Sequence, residues 1–127
     1  MAFLNWSLWI NLSLLLIVGI IIGKEREKTH KVIGIRSTLL ILIGSFIFTY
    51  ISTKVGGDPA RIIAQVVCGS GFIGAGMIFK TKPDEISNLT TAILVWVLSG
   101  LGAMFALGYY EVIVFSILIF IILKWKA

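Results

Sequence analysis

Uninterrupted apolar runs dominate this chain. Residues 2 to 23, 37 to 53, 62 to 79 and 86 to 110 hold no Asp, Glu, Lys, Arg or His, and residues 112 to 123 add a fifth, shorter run. Crossing hydrocarbon takes about 20 apolar residues as a helix. The runs are continuous and rich in Leu and Ile, without the period-two alternation of a membrane barrel strand. The pattern predicts an all-α, polytopic membrane protein. Gly108, Tyr109, Tyr110 and Glu111 break the last stretch with a flexible residue, two interfacial aromatics and a charge, which predicts a tight turn. Five transmembrane helices follow, at about 3–23, 33–53, 60–79, 88–107 and 109–125, the fifth the shortest. They form a single transmembrane domain over residues 1–127, with no linker, low-complexity tract or internal repeat.

Composition agrees. Hydrophobic residues make up 58% and charged residues 13%, where soluble domains carry about a quarter charged; a water-facing surface cannot be built from so few charges. Their placement predicts topology. With five spans, Lys24, Arg26, Lys28, Lys31, Arg36, Lys80, Lys82, Lys124 and Lys126 share one side, and only Lys54 and Arg61 the other. Cytoplasmic flanks collect Lys and Arg, so the N-terminus is expected outside and the C-terminus in the cytoplasm. With four spans the two C-terminal lysines change sides and the bias weakens. Trp6, Trp9, Tyr50, Tyr109 and Tyr110 gather near the outer boundary and Trp125 near the inner one, as an interfacial belt does. Lys and Arg follow the first run rather than precede it, so that run is read as a retained helix, not a cleaved signal.

The polar residues near or within the runs are the candidates for chemistry. Gly19 and Gly23 form a G-x-x-x-G pair that lets two helix backbones approach, within the chain or in a homodimer. Glu25, Arg26 and Arg36 border the apolar runs, where a charge must snorkel, pair or line a wet cavity. An inward Glu25–Arg36 ion pair is the preferred reading, beside a plain snorkelling collar. His30, among cations, is given no role. Asp58 followed by Pro59 is a helix start, and capping alone accounts for Asp58. Arg61 and Gln65 stack four residues apart on one face, and that face is expected to look into the bundle because both are costly against lipid. Gly69, Ser70, Gly71, Gly74, Ala75 and Gly76 strip the same helix of bulk, with Gly71, Gly74 and Ala75 read as packing positions. This third helix is therefore expected at the centre, with Cys68 a small buried hydrophobe. Asn88, Thr90 and Thr91 open the fourth helix, as caps or bonding back to the previous turn. Ser99, Gly100, Gly102 and Ala103 give it a small face, and the Trp96 indole should find a partner.

Several functions are excluded or weakened. One His, one Cys and no HExxH or Ser/His/Asp arrangement leave neither a nucleophile with its base nor a zinc site, so no enzyme is expected and no metal ligand set is assigned. The cations flank the membrane rather than form one patch, which argues against nucleic acid.

In order, Gly23-Lys24-Glu25-Arg26, Gly34-Ile35-Arg36-Ser37, Asp58-Pro59-Ala60-Arg61-Ile62-Ile63-Ala64-Gln65-Val66-Val67, Gly71-Phe72-Ile73-Gly74-Ala75-Gly76 and Leu89-Thr90-Thr91-Ala92 resemble the N-terminal membrane domain of the MgtC/SapB family. The resemblance covers roughly residues 10 to 108, and the third-helix motif is the specific part. It implies a five-helix bacterial inner-membrane protein linked to magnesium homeostasis. Members are described as Mg²⁺ transporters, and some as restraining the F-type ATP synthase. The family's polar positions fall on Glu25, Arg26, Arg36, Asp58, Arg61 and Gln65. Lys24 stands where the family has an apolar residue, Asn88 where it has Gly, Ser37 where it has Thr and Ile93 where it has a small residue. Long members carry a soluble domain after the fifth helix, which is not expected in a sequence ending at Ala127.

Transport of Mg²⁺ meets a physical difficulty. The ion keeps its waters and is held by one or two carboxylates, whereas Glu25 and Asp58 fall at opposite ends of their helices, each near an arginine. Anionic or zwitterionic ligands suit the arginines better. The alternative class is a regulatory protein that binds another membrane protein through its small-residue faces, its polar clusters fixing the fold. Besides Mg²⁺ no cofactor is implied, and the lipid bilayer is the one partner the residues themselves require.

Overall fold

A computed structural model describes residues 5–83 and 85–126. Its elements are α1 (Trp6–Lys28), α2 (Ile35–Ser52), α3 (Pro59–Met77), β1 (Phe79–Lys82), β2 (Glu85–Ser87), α4 (Leu89–Leu107) and α5 (Tyr110–Lys126). Residues 3 and 4 of the first predicted span lie outside the described residues. Helices α1 to α4 are long and apolar enough to cross a bilayer, and α5 has 17 residues.

Local chemistry explains where the helices begin and end. Asn5 caps α1, its side chain accepting from the Leu8 N–H at 3.4 Å. The helix runs past residue 23 through the charged segment to Lys28 and closes in a Schellman motif. His30 takes the left-handed conformation at φ 52°, its N–H donating to the Glu27 carbonyl and that of Lys31 to the Arg26 carbonyl, both at 3.0 Å. Asp58 caps α3 through Ala60 N at 3.0 Å, with Pro59 in the first turn. Gly108 ends α4 at φ 75°, where a Cβ would be strained.

One element was not foreseen. Residues 78 and 79, read as the end of the third helix, instead lead into a two-stranded antiparallel hairpin that pairs Phe79 with Ser87, Lys80 with Ile86 and Lys82 with Glu85. The loop carries Pro83, a residue that favours turns. Asn88 follows at φ 63°, and its Nδ2 donates to the Met77 carbonyl at 3.3 Å. The amide thereby ties the end of α3 to the start of α4.

The centre of the bundle is α4, packed most closely on α2. Ten residues of α4 are buried and only two of α3, Ser70 and Gly74. Lipid is as apolar as Leu, so close packing and hydrogen bonds hold such helices together. Gly102 supplies the closeness: a Cβ there would strike the Leu42 carbonyl and lie 2.9 Å from Ser45 Cβ. Ser45 Oγ donates to the Ser99 carbonyl across the same contact. Leu42, Phe46, Val95, Leu98 and Phe105 fill the space around it. On α1, Gly19 faces Leu39 and Leu42 and Gly23 faces Ile35, so the G-x-x-x-G pair is used within the chain.

The expectation of a central third helix is therefore overturned. Gly74 approaches α4, where a Cβ would sit 3.0 Å from the Ala92 carbonyl, but Gly69, Gly71 and Gly76 face open space. Ala75 and Cys68 are exposed as well. Close contact on several sides would have needed neighbours that α2 and α4 instead give to each other. The Trp96 indole, expected to find a partner, is 53% exposed and makes no hydrogen bond among the described residues.

Candidate functional site

At the C-terminal end of α1 the buried positions are Leu15, Gly19, Ile22, Gly23 and Arg26, a stripe at helical spacing. It carries Arg26 inward, 7% exposed and, among the described residues, the one buried ionisable side chain. Arg26 Nη2 donates to Thr91 Oγ1 at 2.6 Å, joining α1 to the first turn of α4. Among the described residues Nε finds no partner.

Its neighbours turn elsewhere, because successive residues of a helix point about 100° apart. Glu25 lies on the flank facing α5, 3.8 Å from Lys124 Nζ. Arg36 is exposed in the first turn of α2. The expected Glu25–Arg36 pair is thus replaced by one between Glu25 and Lys124. Glu27 Oε1 accepts from the Ile35 N–H at 2.9 Å and caps α2. The cap requires Gly34, where a Cβ would come within 2.5 Å of that carboxylate.

Arg61 and Gln65, expected to face the interior, are exposed, and so is Asp58. Their helix rests on its neighbours along the Ser70–Gly74 edge, and these three residues fall outside that edge. Gln65 nevertheless lines a groove of 490 Å³ between α2 and α3. Leu40, Gly44 and Phe48 form one wall, Ile62, Gly69 and Ile73 the other, with Ser45 and Ser99 at the floor. No group of three or more His, Cys, Asp or Glu residues gathers among the described residues.

Two polar contacts escaped the sequence reading. Tyr110 donates its hydroxyl to Asn11 Oδ1, fastening the start of α5 to α1. Asn11 is 8% exposed; an amide inside an apolar run was the available signal. On the sequence Lys124 is a flanking charge, and only the placement of α5 beside α1 makes it a partner for Glu25.

A predominantly helical, multi-pass membrane bundle, stitched at one end by a buried arginine, is the class that these features define. This chain belongs to the MgtC family, whose sequence model matches residues 12–127. Protein SapB of Bacillus subtilis (strain 168) is 33% identical over 135 residues, covering 95% of this chain and 58% of that protein. Protein MgtC of Brucella abortus (strain 2308) is 37% identical over 94 residues, covering 72% and 39%. Protein MgtC of Salmonella typhimurium (strain LT2) is 34% identical over 103 residues, covering 80% and 44%. The chain thus spans between 39% and 58% of the length of these relatives. No solved structure matches it.

Proposed function

We propose that this chain serves magnesium homeostasis in the bacterial inner membrane as a protein that binds another membrane protein, not as a conduit for Mg²⁺. Magnesium enters through the family, and the mode of action through the geometry. The observation that carries the reading is the uncovered small-residue face of α3. Ala60, Ala64, Cys68, Gly71 and Ala75 are all exposed and, at about 100° per residue, fall within a sector of roughly 80°. Small residues spaced in this way let a second helix approach closely.

The polar residues support the same reading by their employment. Glu25 is held by Lys124 and Asp58 by the amino end of its own helix, at opposite ends of the bundle. Arg26 is committed to Thr91. These groups fix the fold, and the two carboxylates stand too far apart to share an ion that prefers one or two of them with retained water. All five helices are read as crossing the membrane, with the N-terminus outside and the C-terminus in the cytoplasm, from the distribution of Lys and Arg. The F-type ATP synthase is the partner that the family resemblance suggests.

Two measurements test the proposal. Purified chain in proteoliposomes should take up no Mg²⁺; uptake abolished by Asp58→Ala or Arg36→Ala would overturn the proposal. In cells, Gly71→Leu with Ala75→Leu should abolish growth support at low magnesium and a crosslink from Cys68 to the partner, at wild-type protein level and helicity. Full growth support by that double variant would equally sink it.

A further inference from the structure

Gln65 poses a problem that the bundle itself does not solve. It lies six residues past Pro59 on a candidate membrane span, about 9 Å along the helix. Among the described residues its side-chain amide makes no hydrogen bond, and Arg61 makes no ion pair. An amide left unpaired in hydrocarbon is costly. Lys54, the other cation at this end, sits over the Tyr50 ring at 5.3 Å. Asp58 uses Oδ1 on the Ala60 N–H, which leaves its second oxygen free.

Along α3 these groups come in a definite order. Asp58 is outermost, Arg61 follows about 4.5 Å along the axis, Gln65 a further 6 Å or so, and beyond Gln65 the groove continues along Val66, Gly69, Ser70 and Ile73. A long side chain on a helix leans toward the N-terminus, which aims the Arg61 guanidinium at the headgroup layer. An anion acceptor, an amide and an apolar slot, with a carboxylate above them, match the succession of groups in a phospholipid with an amine headgroup.

We infer that the α2–α3 groove is a binding site for a phosphatidylethanolamine molecule of the leaflet bordering the N-terminal end of α3. Its ammonium pairs with Asp58, its phosphate with Arg61, an ester carbonyl accepts from the Gln65 amide, and one acyl chain lies between Leu40, Phe48, Ile62 and Ile73. Charge complementarity selects this lipid. A glycerol headgroup brings no cation to Asp58, and a choline headgroup has no N–H to donate to the carboxylate. The groove lies across α3 from the small-residue face, so the inference and the proposed partner docking stand or fall separately.

The full chain in nanodiscs with equal amounts of phosphatidylethanolamine, phosphatidylcholine and phosphatidylglycerol, released into native mass spectrometry, is the test. Wild type should retain phosphatidylethanolamine preferentially. Asp58→Asn keeps a capping side chain and should erase the preference over phosphatidylcholine, while Arg61→Ala should weaken retention of every phospholipid about fivefold, the worth of roughly 1 kcal/mol. Gly69→Leu and Gly44→Leu place a side chain where a Cβ meets nothing; each should expel the lipid with helicity and melting temperature unchanged. Retention without headgroup preference would overturn the inference, as would undiminished retention in both leucine variants. A concentration-dependent dimer lost in Gly69→Leu would show a second copy in the groove and would overturn it too.

Discussion

Arg26 is buried against a single hydroxyl, so that hydroxyl matters more than its size suggests. Thr91→Val keeps the shape and removes the acceptor for Nη2. A buried charged donor left without its partner costs about 2 kcal/mol, whereas Thr91→Ser retains the oxygen. Chemical denaturation in detergent should rank wild type and Thr91→Ser close together and Thr91→Val well below; equal midpoints for all three would deny the contact its role. The sequence flagged Arg26 as readily as Glu25 and could not separate them. Adjacent residues differ by about 100° in direction, and which of the two points inward depends on where α4 and α5 lie. Asp58 was legible for the opposite reason, since capping needs only its own next two residues. Asn88 combines both kinds of information: the family resemblance puts Gly at this position, and its φ of 63° is a conformation that Gly and Asn tolerate.

Helix positions were readable from apolar run lengths, and the α4–α5 turn from Gly108 and the residues after it. The order of packing was not. Small residues state how near a neighbour is allowed to come, but not which neighbour arrives, so the glycines of α3 point to a central position that Gly102 and Ser45 occupy instead. The hairpin after α3 was hidden because seven strand residues give too little alternation to stand out beside an apolar helix. The α2–α4 contact makes a paired prediction possible. Gly102→Ala forces a methyl group into Leu42 and Ser45 and should lower stability by about 1–3 kcal/mol. Gly100→Ala meets nothing and should leave the melting temperature equal or raised, because Ala is the better helix former by about 1 kcal/mol. Equal losses at the two sites would mean that backbone approach at Gly102 is not limiting.

Across the molecule, attachment is uneven. Helices α2 and α4 share the core, α1 is fastened to them by glycines and Arg26, and α5 is held through Ile113, the Tyr110–Asn11 bond and the Glu25–Lys124 pair. Elements with few buried contacts open first. Tyr110→Phe should therefore speed amide exchange in α5 and leave α2 and α4 protected, as read by hydrogen–deuterium exchange in nanodiscs; equal acceleration throughout would show that α5 does not open by itself. The groove between α2 and α3 has exposed walls at Leu40, Phe48, Ile62 and Ile73, on two helices apolar enough to lie in hydrocarbon. Any small molecule that enters it must first dissolve in the bilayer. Its apparent potency would then track its oil–water partition coefficient, and two compounds that fit equally well could differ widely in the aqueous dose they require.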